Sequence, residues 1–269
     1  MLSIYIKQGV IIMSNNPLRG FSYFFDGFSL ILKPGIRQWV LIPLLINILL
    51  FSVLIYYAWL YFPLAFEFVV ASVQSGLPGW AWLIKLIRWL LLPLFFMFTL
   101  FVFFFAFTFT AHLIGEPFNA LLAAAVEKHL TGKSVKLSSS ESWFKQIISF
   151  ITEKVGKLFY YLKWATVLLI ISFIPVINII SPILWFLFGA WFACLEYADA
   201  PLGNHGYNFL AQRKLLAKKR MLSLGFGSAA FLAMLIPLIN FLVMPIAVAA
   251  ATSMWQHEFA ESQKMRIKS

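Results

Sequence analysis

Two uncharged segments of this chain, Trp164–Leu195 and Met221–His257, are too long for one membrane crossing and too short for two. They are 32 and 37 residues long, whereas a single span takes about 20 residues and two spans with a turn need about 40 or more. Each has a proline pair near its middle. IPVINIISPI (Ile174–Ile183) and IPLINFLVMPI (Ile236–Ile246) share an I-P-x-I-N opening and a second Pro-Ile, an internal repeat offset by 62 residues. Proline removes a backbone donor and disfavours helix at the residue before it. Each copy therefore predicts a helical hairpin that turns near Asn178 or Asn240 and leaves the membrane on the side it entered. Turn backbone at that depth must be buried in protein or line a wet cavity, and the two asparagine side chains are expected to bond the freed backbone groups.

Two further uncharged runs, Gln38–Phe66 and Trp89–Gly115, fit single tilted spans. Loop charge tests the topology independently. With two spans and two hairpins, nineteen of the Lys and Arg residues collect on one face and two on the other; with four single crossings the split is fourteen to seven. Positive loops gather on one side of a membrane, so the hairpins are favoured. Residues 17–32, PLRGFSYFFDGFSLIL, read as an N-terminal interfacial helix. The interleaved charges of 127–163 read as helical extensions into water joined at the serine cluster Ser138–Ser140. The predicted fold class is an all-α integral membrane protein with two long spans and two re-entrant, hemi-penetrating hairpins. Residues 17–269 form one membrane domain, after an N-terminal extension over 1–16 in which Met13 is the expected natural start.

Composition excludes most other classes. The 269 residues are 62% hydrophobic and only 12% charged, which is too little polar surface for a water-soluble globule. Strand alternation is absent, and a β-barrel is disfavoured. The net charge of +11 is dispersed among loops that border apolar segments, so membrane lipids and not nucleic acid are the expected partners. In particular RKLLAKKR, Arg213–Arg220, reads as a lipid-facing anchor. Cys194, the single cysteine, reads as a small packing residue. No enzyme is indicated: HEFAE, His257–Glu261, lacks the second histidine of HExxH, and no nucleophile or phosphate-loop motif occurs. No metal or cofactor is expected.

Two places carry candidate chemistry. KPGIRQWVLIPLLIN, Lys33–Asn47, sets two cations and a Pro-Gly break before the first span. The N–H groups of Gly35, Ile36 and Arg37 are expected to lack intrahelical partners and to carry the positive end of the helix dipole. Arg37 adds a guanidinium fork suited to tetrahedral oxyanions. A simple headgroup anchor is the competing reading. At the end of the second span, GEPFNALL offers Glu116 and Asn119 as pathway residues, with a helix-end interfacial acid as the equal alternative.

Along most of its length the chain resembles the bacterial CysZ sulfate permease family, through PGIRQWVLIPLLINILL, EPFNALLAAAVEKHLTG, PILWFLFGAWFACLEYADAPLGNH and MLIPLINFLVMPIAVAAATSMW. The resemblance implies sulfate uptake across the bacterial inner membrane for cysteine synthesis, a fold with hemi-penetrating hairpins, and a homo-oligomer. It also implies sulfate binding at Gly35, Ile36 and Arg37, the family's Gly-(Leu/Ile)-Arg-Arg stretch. Gln38 departs from that stretch, standing where a second Arg is common. Glu116–Asn119 matches the family's (Glu/Ala)-Pro-Phe-Asn motif. A non-transporting membrane scaffold is the alternative from another class.

Overall fold

The computed structural model describes residues 15–76, 81–134 and 143–260. Met13 and nearly all of the N-terminal extension, the serine cluster and the C-terminal residues 261–269 lie outside the described residues. Among those described, every regular element is helical: α1 Pro17–Ile31, α2 Arg37–Gly76, α3 Ala81–Thr131, α4 Trp143–Ser172, α5 Ser181–Asn204, α6 Phe209–Leu216, α7 Arg220–Met234 and α8 Pro237–Trp255. Among the described residues five stretches are long and apolar enough to cross a membrane, and the chain is an all-α membrane protein. Its contacts divide it into two compact units, Trp39–Phe118 and the remainder.

In the Trp39–Phe118 unit, α2 and α3 run antiparallel. Trp39 meets Phe118 (6.5 Å between ring centres), Phe62 meets Phe95 (5.3 Å) and Glu67 pairs with Arg88. The predicted spans lie inside these helices, which continue past them. At 40 and 51 residues, α2 and α3 are about 60 and 77 Å long, roughly twice the thickness of a bilayer's hydrocarbon core or more. Pro43, Pro63, Pro93 and Pro117 sit within them without ending them, as membrane helices allow. A groove of about 830 Å³ between α2 and α3 is lined by apolar side chains such as Phe51, Trp59, Phe62 and Phe104. Its Thr99 hydroxyl is spent on the Phe95 carbonyl, so the groove offers an anion nothing.

The other unit contains both repeats, and each is a helix–turn–helix. Along the first, Ser172 meets Ser181, the Trp191 indole donates to the Tyr160 hydroxyl at 3.1 Å, and Lys157 pairs with Glu196 at 2.8 Å. Each step up α4 is thus a step down α5. The second pairs α7 with α8, and its open end is closed by Lys219 and Glu258. The backbone repeats as the sequence does: Phe173, Ile174 and Asn178 donate to Ile170, Ile171 and Ile174, and Leu235, Ile236 and Asn240 donate to Leu232, Ala233 and Ile236.

Beyond the asparagine the copies part. The first passes through Val176, held at φ 72°, into a 3-10 turn at Ile177–Ile180, a conformation costly for a β-branched residue. The second turns earlier, at Leu235–Ile236, and Asn240 already lies in the first turn of α8. Asn178 and Asn240 are both exposed, and their side chains make no hydrogen bond among the described residues. The freed backbone groups are served by the amide donations above instead.

The GFG of α7 sets Gly225 and Gly227 on opposite sides of the helix, because two residues turn it by about 200°. A Cβ on Gly225 would lie 1.9 Å from the Pro17 carbonyl oxygen, and one on Gly227 would lie 1.8 Å from that of Ala190. α1 therefore packs on one side of α7 and α5 on the other, both in backbone contact. α8 forms the centre of the unit, with Val243 and Ile246–Trp255 buried. α1 is helical where predicted, and its Tyr23, Phe24, Leu30 and Ile31 are buried where it packs on α7 and α8.

Gly227→Val is expected to push α5 off α7 and cost about 1–3 kcal/mol or more, read as a lower melting temperature of the detergent-solubilised protein. Gly203→Ala, where an added Cβ meets nothing within 4 Å, is the matched control and should leave the melting temperature unchanged.

Candidate functional site

The stretch from Lys33 to Gln38 is a tight turn followed by the head of α2. Gly35 has φ 83°, a left-handed conformation that glycine adopts without steric penalty. The Ile36 and Arg37 amides both donate to the Lys33 carbonyl at 3.1 Å, so two of the three donors expected to be free are already used. The Ile36 side chain is 1% exposed and anchors the turn. Arg37 and Gln38 project outward and have no protein partner among the described residues. The donors left to meet an anion include the Arg37 and Gln38 side chains and the Gly35 amide.

The position of this turn follows from α1. Tyr23 lies against His257 and Glu258, while Gly27 lies against Ile246 and Ala250. α1 therefore runs antiparallel to α8, away from the charged open end of the α7–α8 hairpin and toward its tip. From Tyr23 to Ile31 it rises about 12 Å before the chain turns at Lys33–Gly35.

Glu116 lies within α3, which continues through Pro117 to Thr131, so the proline does not end the helix. It belongs to the Trp39–Phe118 unit, whereas Gly35–Gln38 and Asn119 belong to the other. Just beyond Asn119, α3 is fastened twice. The Asn204 amide donates to the Ala120 carbonyl at 2.8 Å, and His205 Nε2 lies 2.9 Å from a Glu127 carboxylate oxygen.

Two ionic clusters that sequence reading missed sit at the open ends of the hairpins. Glu258, 5% exposed, receives Lys219 at 2.6 Å, Arg19 at 2.8 Å and the Tyr23 hydroxyl at 2.9 Å. Lys219 also donates to the Glu258 carbonyl at 2.8 Å. Burial, reinforced by the Glu258 carboxylate, pushes the Tyr23 phenol up to about 12, keeping it a neutral donor. Glu258 lies in HEFAE, so the motif that failed as a zinc site supplies the carboxylate that ties α1, α7 and α8 together. It sits on a π-helical turn, Gln256–Ala260. In the second cluster Lys157, 6% exposed, bridges Glu196 at 2.8 Å and Asp199 at 3.0 Å. Asp199 also accepts from Gln212 at 2.8 Å. The visible signal was a lone charge at the edge of an apolar run, but the partner of each could not be read from spacing. Lys219 belongs to RKLLAKKR, expected to face lipid throughout, yet it turns inward.

A protein-family model described as "Sulfate transporter CysZ/Etoposide-induced protein 2.4" matches residues 23–245. The chain is 38% identical over 253 residues to the sulfate transporter CysZ of Pseudomonas paraeruginosa, covering 93% of this chain and 99% of that one. It is 41% identical over 244 residues to the sulfate transporter CysZ of Pseudomonas syringae pv. tomato, covering 90% and 93%. With the sulfate transporter CysZ of Pectobacterium atrosepticum it is 38% identical over 237 residues, covering 88% and 84%.

Lys219→Met removes one cation from a buried carboxylate and should cost about 3–5 kcal/mol, measured as a loss of thermal stability in detergent. Lys219→Met combined with Glu258→Leu removes the under-compensated carboxylate as well, leaves the half-exposed Arg19 to solvent, and should recover most of that loss.

Proposed function

Because this chain belongs to the sulfate transporter CysZ family, we propose that it carries sulfate into the cell for cysteine biosynthesis, with the anion held at Gly35, Ile36, Arg37 and Gln38. It is a multi-pass protein of the bacterial inner membrane, and its family is one of transporters, not enzymes. Family membership favours transport over a non-transporting scaffold.

One observation carries the site. The buried cations Lys157 and Lys219, and Arg19 beside them, are held by protein carboxylates, whereas Arg37 has no partner among the described residues and stands on a turn built around Gly35. A guanidinium with free in-plane donors at the head of a membrane helix suits a tetrahedral oxyanion. The Gly35 amide adds a free donor from the turn, and the charge of the site rests on Arg37. Gln38 contributes an amide donor without charge. Glu116 and Asn119 are assigned to the pathway, and the two units act together as one transport domain over 17–269, in a homo-oligomer.

The short rise from buried lysine to tip in the first leg of each hairpin supports re-entry. From Lys157 to Ser172, and from Lys219 to Met234, each rising helix covers about 22 Å, less than the roughly 30 Å of a bilayer's hydrocarbon core. The tips expose Phe173, Val176, Ile179 and Leu235, residues suited to lipid. The open ends carry the charge and mark the cytoplasmic face.

Arg37→Ala should weaken sulfate binding by about tenfold to a hundredfold, the worth of about 1.5–3 kcal/mol for a charge-assisted donor. Arg37→Lys should recover part of it, and Gln38→Arg should tighten binding and make it more salt-sensitive. Binding to purified folded protein and uptake into proteoliposomes are the measurements, and unchanged affinity in Arg37→Ala removes the residue from the site. A site made of donors gives no reward to a phosphate hydroxyl, so other fully ionised tetrahedral oxyanions should compete better than phosphate. For topology, reporter cysteines placed in loops 127–163 and 196–220 of a Cys194→Ser background should be labelled from the same face.

A further inference from the structure

RKLLAKKR does not act as one uniform basic film. Lys219 is buried on Glu258 and lies over the Phe259 ring, whereas Arg213 rests on a ring without an ion pair among the described residues: its guanidinium carbon sits 4.5 Å from the centre of the Tyr160 ring. Tyr160 is fixed in turn, accepting from the Trp191 indole at 3.1 Å and meeting the Phe209 ring edge-on at 5.6 Å. Stacking engages the face of a guanidinium and leaves its N–H donors, which lie in the plane, unoccupied. Among the described residues no carboxylate takes them. The nearest acids that α5 sets against α4, Glu196 and Asp199, are engaged by Lys157, and Asp199 also lies 3.9 Å from Lys154.

The surroundings grade from apolar to cationic as a lipid boundary does. α6 turns Gln212, Leu215 and Leu216 inward and exposes Leu210 (49%) and Lys214, which are four residues apart and so on one helix face. On α4, Lys163 and Trp164 follow Tyr160 by three and four residues and are both exposed. Tryptophan, tyrosine and basic side chains together are what the headgroup level of a membrane selects. Arg213, Lys163 and Lys214 have no ion-pair partner among the described residues, and together they present positive charge at this patch.

We propose that Arg213, stacked on Tyr160 and flanked by Lys163 and Lys214, is a binding site for the phosphate of an anionic phospholipid headgroup, with the acyl chains passing over Leu210 and Trp164. The fork on its aromatic seat makes this a site for one phosphate group, beyond the general attraction of a basic loop. It rests on the reading that the open ends of the hairpins lie at the headgroup level, which loop labelling tests separately.

The test is lipid titration of the full-length purified protein in detergent, followed by native mass spectrometry, with phosphatidylglycerol, phosphatidylcholine or inorganic phosphate. Phosphatidylglycerol should bind in preference to phosphatidylcholine, and Arg213→Gln should weaken it by about tenfold, as expected for loss of a charge-assisted donor. Arg213→Lys keeps the charge but not the fork, and should lose most of the preference. Sulfate binding, unchanged in these variants, reports that they are folded; should Arg213→Gln not fold, Arg213→Lys alone decides. The proposal is overturned if Arg213→Lys matches wild type, if Lys214→Gln and Arg213→Gln have equal effects, or if inorganic phosphate binds as well as the lipid does.

Discussion

A charge brought next to hydrocarbon must arrive with its counter-charge, and this condition determines where the hairpin unit begins. Glu258 is nearly inaccessible and receives Lys219, Arg19 and Tyr23, and Lys157 is likewise enclosed by Glu196 and Asp199. Breaking either arrangement leaves a bare ion inside protein, whereas the intact cluster carries little net penalty. The clusters therefore fix the level at which each hairpin opens. From that level the helices rise by a length set only by their apolar residues. Asymmetry follows: ionic groups are concentrated at the open ends, and the tips present isoleucine, valine and phenylalanine.

Close backbone contact does the rest. α7 is flanked by α1 and α5 at Gly225 and Gly227, so three helices share one layer with no side chain between them at the crossing points. α8 fills the remaining volume with small residues, alanine above all, over Ala247–Ala251. Helices that pack by surface fit and not by the hydrophobic effect use small residues in this way. The Lys33–Gln38 turn inherits its position from that packing, because α1 is fixed against α8 and leads directly into it.

Much of this was legible in the sequence. Helix-forming stretches are visible as uncharged runs, and the I-P-x-I-N repeat indicates two turns of one kind. The shared donations to Ile174 and Ile236 show that the repeat extends to the backbone. Periodicity could not show that the copies diverge around the asparagine, since the shared I-P-x-I-N letters are the same where one copy enters a 3-10 turn and the other is already in α8. Nor could it show that the Ile36 and Arg37 amides are engaged by Lys33, because a glycine at positive φ folds the chain back on itself and spacing arguments assume a straight helix start. The ion clusters were illegible for a plainer reason. Lys157 finds its carboxylates about 40 positions away and Glu258 finds Tyr23 at 235 positions, and no local pattern encodes such partners. A run such as RKLLAKKR looks uniform until each cation is placed.

The separation of Tyr23 from Glu258 also orders events during synthesis. At bacterial or eukaryotic elongation speeds, roughly 5–20 residues per second, the 235 positions between them correspond to on the order of ten seconds to a minute. Lys157 waits only a few seconds for Asp199, 42 positions later, so the first hairpin can neutralise itself while the ribosome is still translating the second. α1 precedes the other described helices and acquires its carboxylate only from the turn that follows α8, so the unit closes after α8 has been made. A nascent chain that stops short of Glu258 carries Lys219 into the bilayer without its counter-ion and leaves α1 undocked. The unit therefore carries a different local charge before and after Glu258 joins Lys219 and Arg19.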